Sequence, residues 1–156
     1  MANTKQQPTE FALRVYAFLE NENGMVLLSN EQYKGQHFSK LPGGGVELGE
    51  CTLEAVVREL NEELKLVIEP ASLKHVYTCD FVVQNAFNPK QQVIGVYFKV
   101  KITEKENTLL TSQLNETITD NNSQLISREW VEKHSIKNRL TFEMDCKAAS
   151  VFIGDK

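Results

Sequence analysis

Apolar residues are spread unevenly along the chain, and their spacing changes period from one stretch to the next. Phe11 to Leu19 reads FALRVYAFL, interrupted only by Arg14, and is rich in β-branched and aromatic residues. Such a run predicts a buried strand. Asn21-Glu22-Asn23-Gly24 is a turn signal and Met25 to Leu28 a second apolar run, so the two strands are expected to form a hairpin. Leu41-Pro42-Gly43-Gly44-Gly45 breaks any periodicity. Three glycines after a proline are expected to lie outside regular structure, where the backbone bends sharply or comes close to a ligand.

Helical spacing then takes over. Leu53, Val56, Val57, Leu60 and Leu64 share one arc of a helix over Thr52 to Leu64, with Pro70 beyond its end as a stop signal. The second half returns to strand patterns at His75 to Gln84 and Val93 to Ile102, with a polar loop over Asn85 to Gln92 between them. Glu104 to Ser123 is polar and rich in threonine and asparagine, and is expected to be a long loop, or a strand and a loop. Leu125 to Val131 predicts another strand and Leu140 to Phe152 a final helix. Hairpin, glycine turn, helix, strands and helix together imply a mixed α/β single domain over 10–156, behind a flexible tail at 1–9.

Composition narrows the function more than the fold. The chain has 156 residues, 41% hydrophobic and 24% charged, an ordinary globular balance. Its 17 Lys and Arg against 21 Asp and Glu give a charge of −4, which argues against a general grip on nucleic-acid polymers or anionic membranes. Cys51, Cys79 and Cys146 lie far apart and are odd in number, which fits a reducing compartment. No apolar run is long enough to span a bilayer, and the N-terminus lacks a signal-peptide core. A cytoplasmic location is the expectation.

The chemistry sits on the central helix. Glu59, Glu62 and Glu63 are related by three and four residues, so their carboxylates are neighbours opposite the apolar arc, with Arg58 at their edge. Alone, the trio reads more simply as a solvated acidic face. The wider spacing separates the two readings. Gly44, five residues, Glu50, seven residues, Arg58-Glu59-Leu60-Asn61-Glu62-Glu63 and then Leu66 resemble the Nudix box, G-x5-E-x7-R-E-U-x-E-E-x-G-U, at eight of its nine specified positions. Leu41-Pro42-Gly43 before it and Val46-Glu47 within it also look like the family. Lys65 departs, standing where the family has a glycine that closes the helix in a left-handed conformation. Keeping that conformation with a lysine costs about 1 kcal/mol.

The resemblance implies a mixed β-sheet sandwiched between α-helices. It also implies hydrolysis of a diphosphate bond in a nucleoside diphosphate linked to another moiety, such as a nucleoside triphosphate, nucleotide sugar or dinucleotide, with Mg²⁺ or Mn²⁺. Glu59, Glu62 and Glu63 would be metal ligands, joined by the Gly43 carbonyl and supported by Glu50. Glu59 would serve as base if it is not a ligand, and Arg58 would orient the glutamates. Gly44 and Gly45 let backbone approach phosphates, and Lys40 and Arg14 are candidate phosphate contacts or ordinary surface cations. Many relatives are homodimers. The rival reading, a domain that binds nucleotides without turnover, is disfavoured because such relatives commonly lose box glutamates and this chain keeps them.

Other candidates are weaker. A further carboxylate from a distant loop points to Glu116, Asp120 or Glu129, each also readable as a surface charge. Tyr33, Phe38, Phe81 and Phe87 are stacking or packing aromatics, with packing the simpler reading. Trp130 reads as a core or edge aromatic, and Cys51 as a small buried residue.

Overall fold

The computed structural model describes residues 6–120 and 122–154, and for Asp120 the backbone alone. Residues 1–5 of the expected tail and the Asp120 side chain lie outside the described residues. The elements, in chain order, are β1 (Glu10–Glu20), β2 (Met25–Tyr33), β3 (Gln36–Lys40), β4 (Gly43–Gly45), α1 (Thr52–Leu64), β5 (Lys74–Thr78), β6 (Val83–Gln84), β7 (Gln91–Lys101), α2 (Glu104–Ser112), β8 (Ile118–Asp120), β9 (Ser123–Glu132) and α3 (Glu143–Ile153).

β1 lies at the centre of one mixed sheet ordered β5-β7-β1-β2-β9-β8. Its continuous apolar run follows from burial on both faces. Val15, Ala17 and Leu19 face a core shared with Val56, Leu60 and Leu64 of α1 and Leu110 of α2. Tyr16 and Phe18 face a second core with Met144, Ala148 and Phe152 of α3. The sheet is therefore sandwiched between helices, as the resemblance implies. β1 runs parallel to β7 over its whole length, from Glu10 opposite Gln91 to Glu20 opposite Lys101.

Several expectations are corrected here. The β1–β2 hairpin exists only at its base, where Glu20 pairs with Val26. Beyond that point the strands diverge, and the segment 36–45 fills the gap: β3 pairs with β2, and β4 with β1. The three glycines are thus not irregular. They form a short strand opposite Arg14, Val15 and Tyr16, and the first of them needs glycine. Gly43 has φ +148°, and a Cβ there would strike the Val15 carbonyl. β2 also continues past Leu28 to Tyr33, its polar end still paired with β3 and β9. The strand expected over His75 to Gln84 is broken into β5 and β6.

The stretch expected as a loop after Glu104 holds α2. A reciprocal cap starts it: Glu106 N–H donates to Thr103 Oγ1 at 3.2 Å and Thr103 N–H to Glu106 Oε2 at 2.7 Å. Leu110 anchors it in the core. Cys51, expected to be buried, is exposed at the start of α1.

Candidate active site

The acidic face of α1 meets the glycine strand where β1 and β2 separate. Arg58 organises one half of the site. Its Nη2 donates to the Gly45 carbonyl at 2.8 Å and to Glu50 Oε1 at 2.6 Å, and its Nε to Glu50 Oε2 at 3.0 Å. Its Nη1 donates to Glu59 Oε1 at 3.0 Å and Glu62 Oε2 at 3.2 Å. One guanidinium thus ties three of the box glutamates to the backbone of β4, using the fixed fork that lysine lacks. Hydrogen bonds from Arg58, then one from the Glu47 backbone, hold the Glu50 carboxyl at about 2. The same bonds raise the Arg58 pKa, with burial opposing them.

Glu59 and Glu63 both reach the glycine strand. A Cβ on Gly44 would fall on the Glu59 carboxylate, so that glycine makes the cradle in which it lies. The Gly43 N–H donates to Glu63 Oε2 at 3.3 Å. Burial pushes the Glu63 carboxyl up, Lys40 pulls it down, and Glu31 and Glu59 add to the upward push. Gly45 faces open space.

Lys40 is not a surface cation. It is buried at the end of β3, with Nζ 3.2 Å from the Gly43 carbonyl, 3.6 Å from Glu31 and 3.9 Å from Glu63. Burial lowers its pKa, but the Glu63 and Glu31 carboxylates outweigh that and the net shift is upward. Arg14, half-buried on β1, donates from Nε to Tyr16 Oη at 2.7 Å, and its charge is felt by Glu59 and Glu63.

Glu31 is the residue that the sequence did not flag. With Ser29, Glu62, Glu63 and Arg128 it lines a cleft of about 210 Å³. Its only sequence signal is a charge beyond an apolar run, which every surface strand carries. Of the late-loop candidates, Glu116 pairs at 2.9 Å with Arg128, which lines that cleft, and Glu129 pairs with Arg139. Arg128 also donates to the Glu63 carbonyl at 3.0 Å, and Gln113 Nε2 to the Leu64 carbonyl at 2.9 Å. Both satisfy carbonyls that the end of α1 leaves open. Tyr33, Phe38 and Phe87 pack against one another and Phe142, and Trp130 packs on the α1-side core.

Among the described residues, no three His, Cys, Asp or Glu side chains converge closely enough to hold an ion. Arg58 engages Glu59 and Glu62, while Lys40 sits beside Glu63. The donor set nonetheless suits a hard divalent cation. The candidate donors are all oxygens, and Glu59 and Glu63 share the glycine cradle.

A model of the NUDIX domain matches residues 10–146. An ADP-ribose pyrophosphatase from Methanocaldococcus jannaschii is 34% identical over 87 residues, 56% of this chain and 48% of that protein. The chain therefore spans about half the length of that curated relative. The crystal structure of a MutT protein from Methanosarcina mazei Go1 superposes with TM-score 0.65 at 20% identity, covering 97% of this chain and 99% of that one. The solution structure of the E. coli ORF135 protein gives 0.63 at 18%, covering 94% and 91%. At such identities the likeness concerns the fold.

Proposed function

The chain belongs to the NUDIX domain family, and from that premise we propose that it is a metal-dependent pyrophosphohydrolase acting on a nucleoside diphosphate linked to a second moiety. The observation that carries the proposal is the Arg58 fork, which joins Glu50, Glu59 and Glu62 to the Gly45 carbonyl beside the Gly44 cradle. A merely acidic helix face has no reason to be locked to a glycine strand.

Glu59, Glu62 and Glu63, with the Gly43 carbonyl and with Glu50 in support, would hold Mg²⁺ or Mn²⁺, which supplies an activated water and stabilises the leaving phosphate oxygen. The chain's own groups do the rest. Arg58 holds Glu59 and Glu62 in place by charge-assisted hydrogen bonds. Gly44 makes room for the Glu59 carboxylate, and Gly45 faces open space where a diphosphate can come close to backbone. Arg14, on the strand paired with β4, offers a cation to a phosphate oxygen. Glu31 brings a further carboxylate to the cleft that Glu62 and Glu63 line, and would be the candidate proton acceptor there.

The name of the M. jannaschii relative makes ADP-ribose the first compound to test, followed by nucleotide sugars, dinucleotides and nucleoside triphosphates. Products are read by phosphate release after phosphatase treatment for the blocked diphosphates, and by chromatography of the nucleoside monophosphate for the triphosphates. Hydrolysis of at least one class with Mg²⁺ or Mn²⁺, stopped by EDTA with the fold intact, is the expected result. Binding without turnover across the panel would favour the sensor reading, and full turnover in EDTA would end the metal mechanism.

A further inference from the structure

Lys40 occupies the place where a metal would be expected to find its ligands. Its buried ammonium is 3.2 Å from the Gly43 carbonyl and 3.9 Å from Glu63, two of the groups assigned above to the cation. It is also 3.6 Å from Glu31, which lines the same cleft. The backbone N–H of Gly43 holds the other oxygen of Glu63, so lysine, carbonyl and carboxylate form a closed set. The aromatic face of Tyr16 lies 5.9 Å from Nζ. No sequence rule places a lysine there. It arrives because β3 leads directly into the Leu41-Pro42 crossing to β4.

We propose that Lys40 is a built-in competitor for the divalent cation: its ammonium holds the Gly43 carbonyl and the Glu63 and Glu31 carboxylates together in the metal-free protein, and cation binding displaces it. The inference rests on the metal-dependent reading given above. Its physical basis is charge. Two half-buried carboxylates facing one cleft with no cation repel each other, and one ammonium offsets that in part. A divalent ion and that ammonium would repel strongly at the separations seen here, because both would seek the same oxygens. Lys40 has a long flexible stem and can swing out, which the Arg58 fork, held at five acceptors, cannot. The consequence is a site that stays assembled without metal and binds metal more weakly than its carboxylates alone would allow.

Three measurements test this on the full chain. Mn²⁺ affinity is measured by calorimetry for wild type, Lys40→Met and Lys40→Gln. Removing the ammonium should tighten binding ~10-fold or more, in line with the repulsion of nearby like charges. The melting temperature of the metal-free variants should fall below wild type, and saturating Mn²⁺ should close the gap. Displacement itself is read by acetylation with an amine reagent and mass spectrometry, with exposed Lys147 as the internal reference. Lys40 should be labelled slowly without metal and several-fold faster with saturating Mg²⁺. Lys40→Gln keeps a donor for the Gly43 carbonyl and carries the affinity test if Lys40→Met does not fold. Unchanged or weaker Mn²⁺ affinity in the variants, or Lys40 labelling that metal slows or leaves unaltered, would overturn the competitor role while leaving the metal-dependent enzyme standing. Failure of wild type to bind Mn²⁺ at all would remove both.

Discussion

Asp145→Asn isolates the cost of one buried charge. Asp145 lies on α3, almost wholly out of water, and accepts a 2.5 Å hydrogen bond from Tyr97 Oη. Burial raises its carboxyl from 3.8 to about 6, against the pull of Tyr97, Lys40 and Arg14. The folded protein therefore holds this proton more tightly than the unfolded chain. The associated stability is present at low pH and is lost as pH rises from about 4 to about 6. At ~1.4 kcal/mol per pH unit, the ionised form costs about 3 kcal/mol at neutral pH and about 1 kcal/mol at pH 4.5. Asparagine keeps an oxygen for Tyr97 and carries no charge. The variant should gain about 2 kcal/mol more, relative to wild type, at pH 8 than at pH 4.5, whatever its constant loss from a weaker neutral hydrogen bond. Urea unfolding followed by the single tryptophan, Trp130, measures this directly. An Asp145→Asn effect equal at the two pH values would refute the reasoning, because it would mean that Asp145 folds without a raised affinity for its proton.

Glu62→Gln removes a charge from an exposed side chain, so metal-free stability should change by no more than ~0.5 kcal/mol, while turnover falls by at least ~100-fold through loss of metal activation; paired melts and rate assays decide. Gly44→Ala should leave the fold largely intact and cut turnover by at least ~10-fold, because its Cβ would push Glu59 out of the cradle; normal kinetics would show that the cradle is incidental. Lys65 has φ 57° and ends α1, with its N–H on the Asn61 carbonyl. Lys65→Gly should therefore raise stability by up to ~1 kcal/mol with turnover unchanged, and a lower melting temperature would contradict the strain argument.

The left-handed Lys65 shows how far local sequence reaches. The box supplied the helix end, and the chain keeps the backbone conformation even though the usual glycine is missing. α1 runs from Thr52 to Leu64 as its apolar spacing predicts, since helical periodicity is a property of one segment. α2 escaped notice because its core contact is narrow: Leu110 is its one buried residue. The Thr103–Glu106 cap was the available signal, and it lies in a stretch whose composition otherwise reads as loop.

The residue order alone carries β1, α1 and α3, the carboxylates of α1, the arginine among them and the glycines at a set distance before them. Those features depend on spacing along a single stretch of backbone. Contacts between segments far apart in the chain are what make the glycines a strand against β1, give β1 its parallel partner β7, and bring Glu31 and Lys40 to Glu63. Lys40 in sequence is one cation beside an apolar run, and Glu31 one anion on a polar strand end. Their meaning comes from the divergence of β1 and β2, which opens the gap that β3 and β4 fill and brings distant charges within 4 Å of one another. Coulomb energies depend on separation in space and on exclusion of water, and neither quantity is written in the order of the residues.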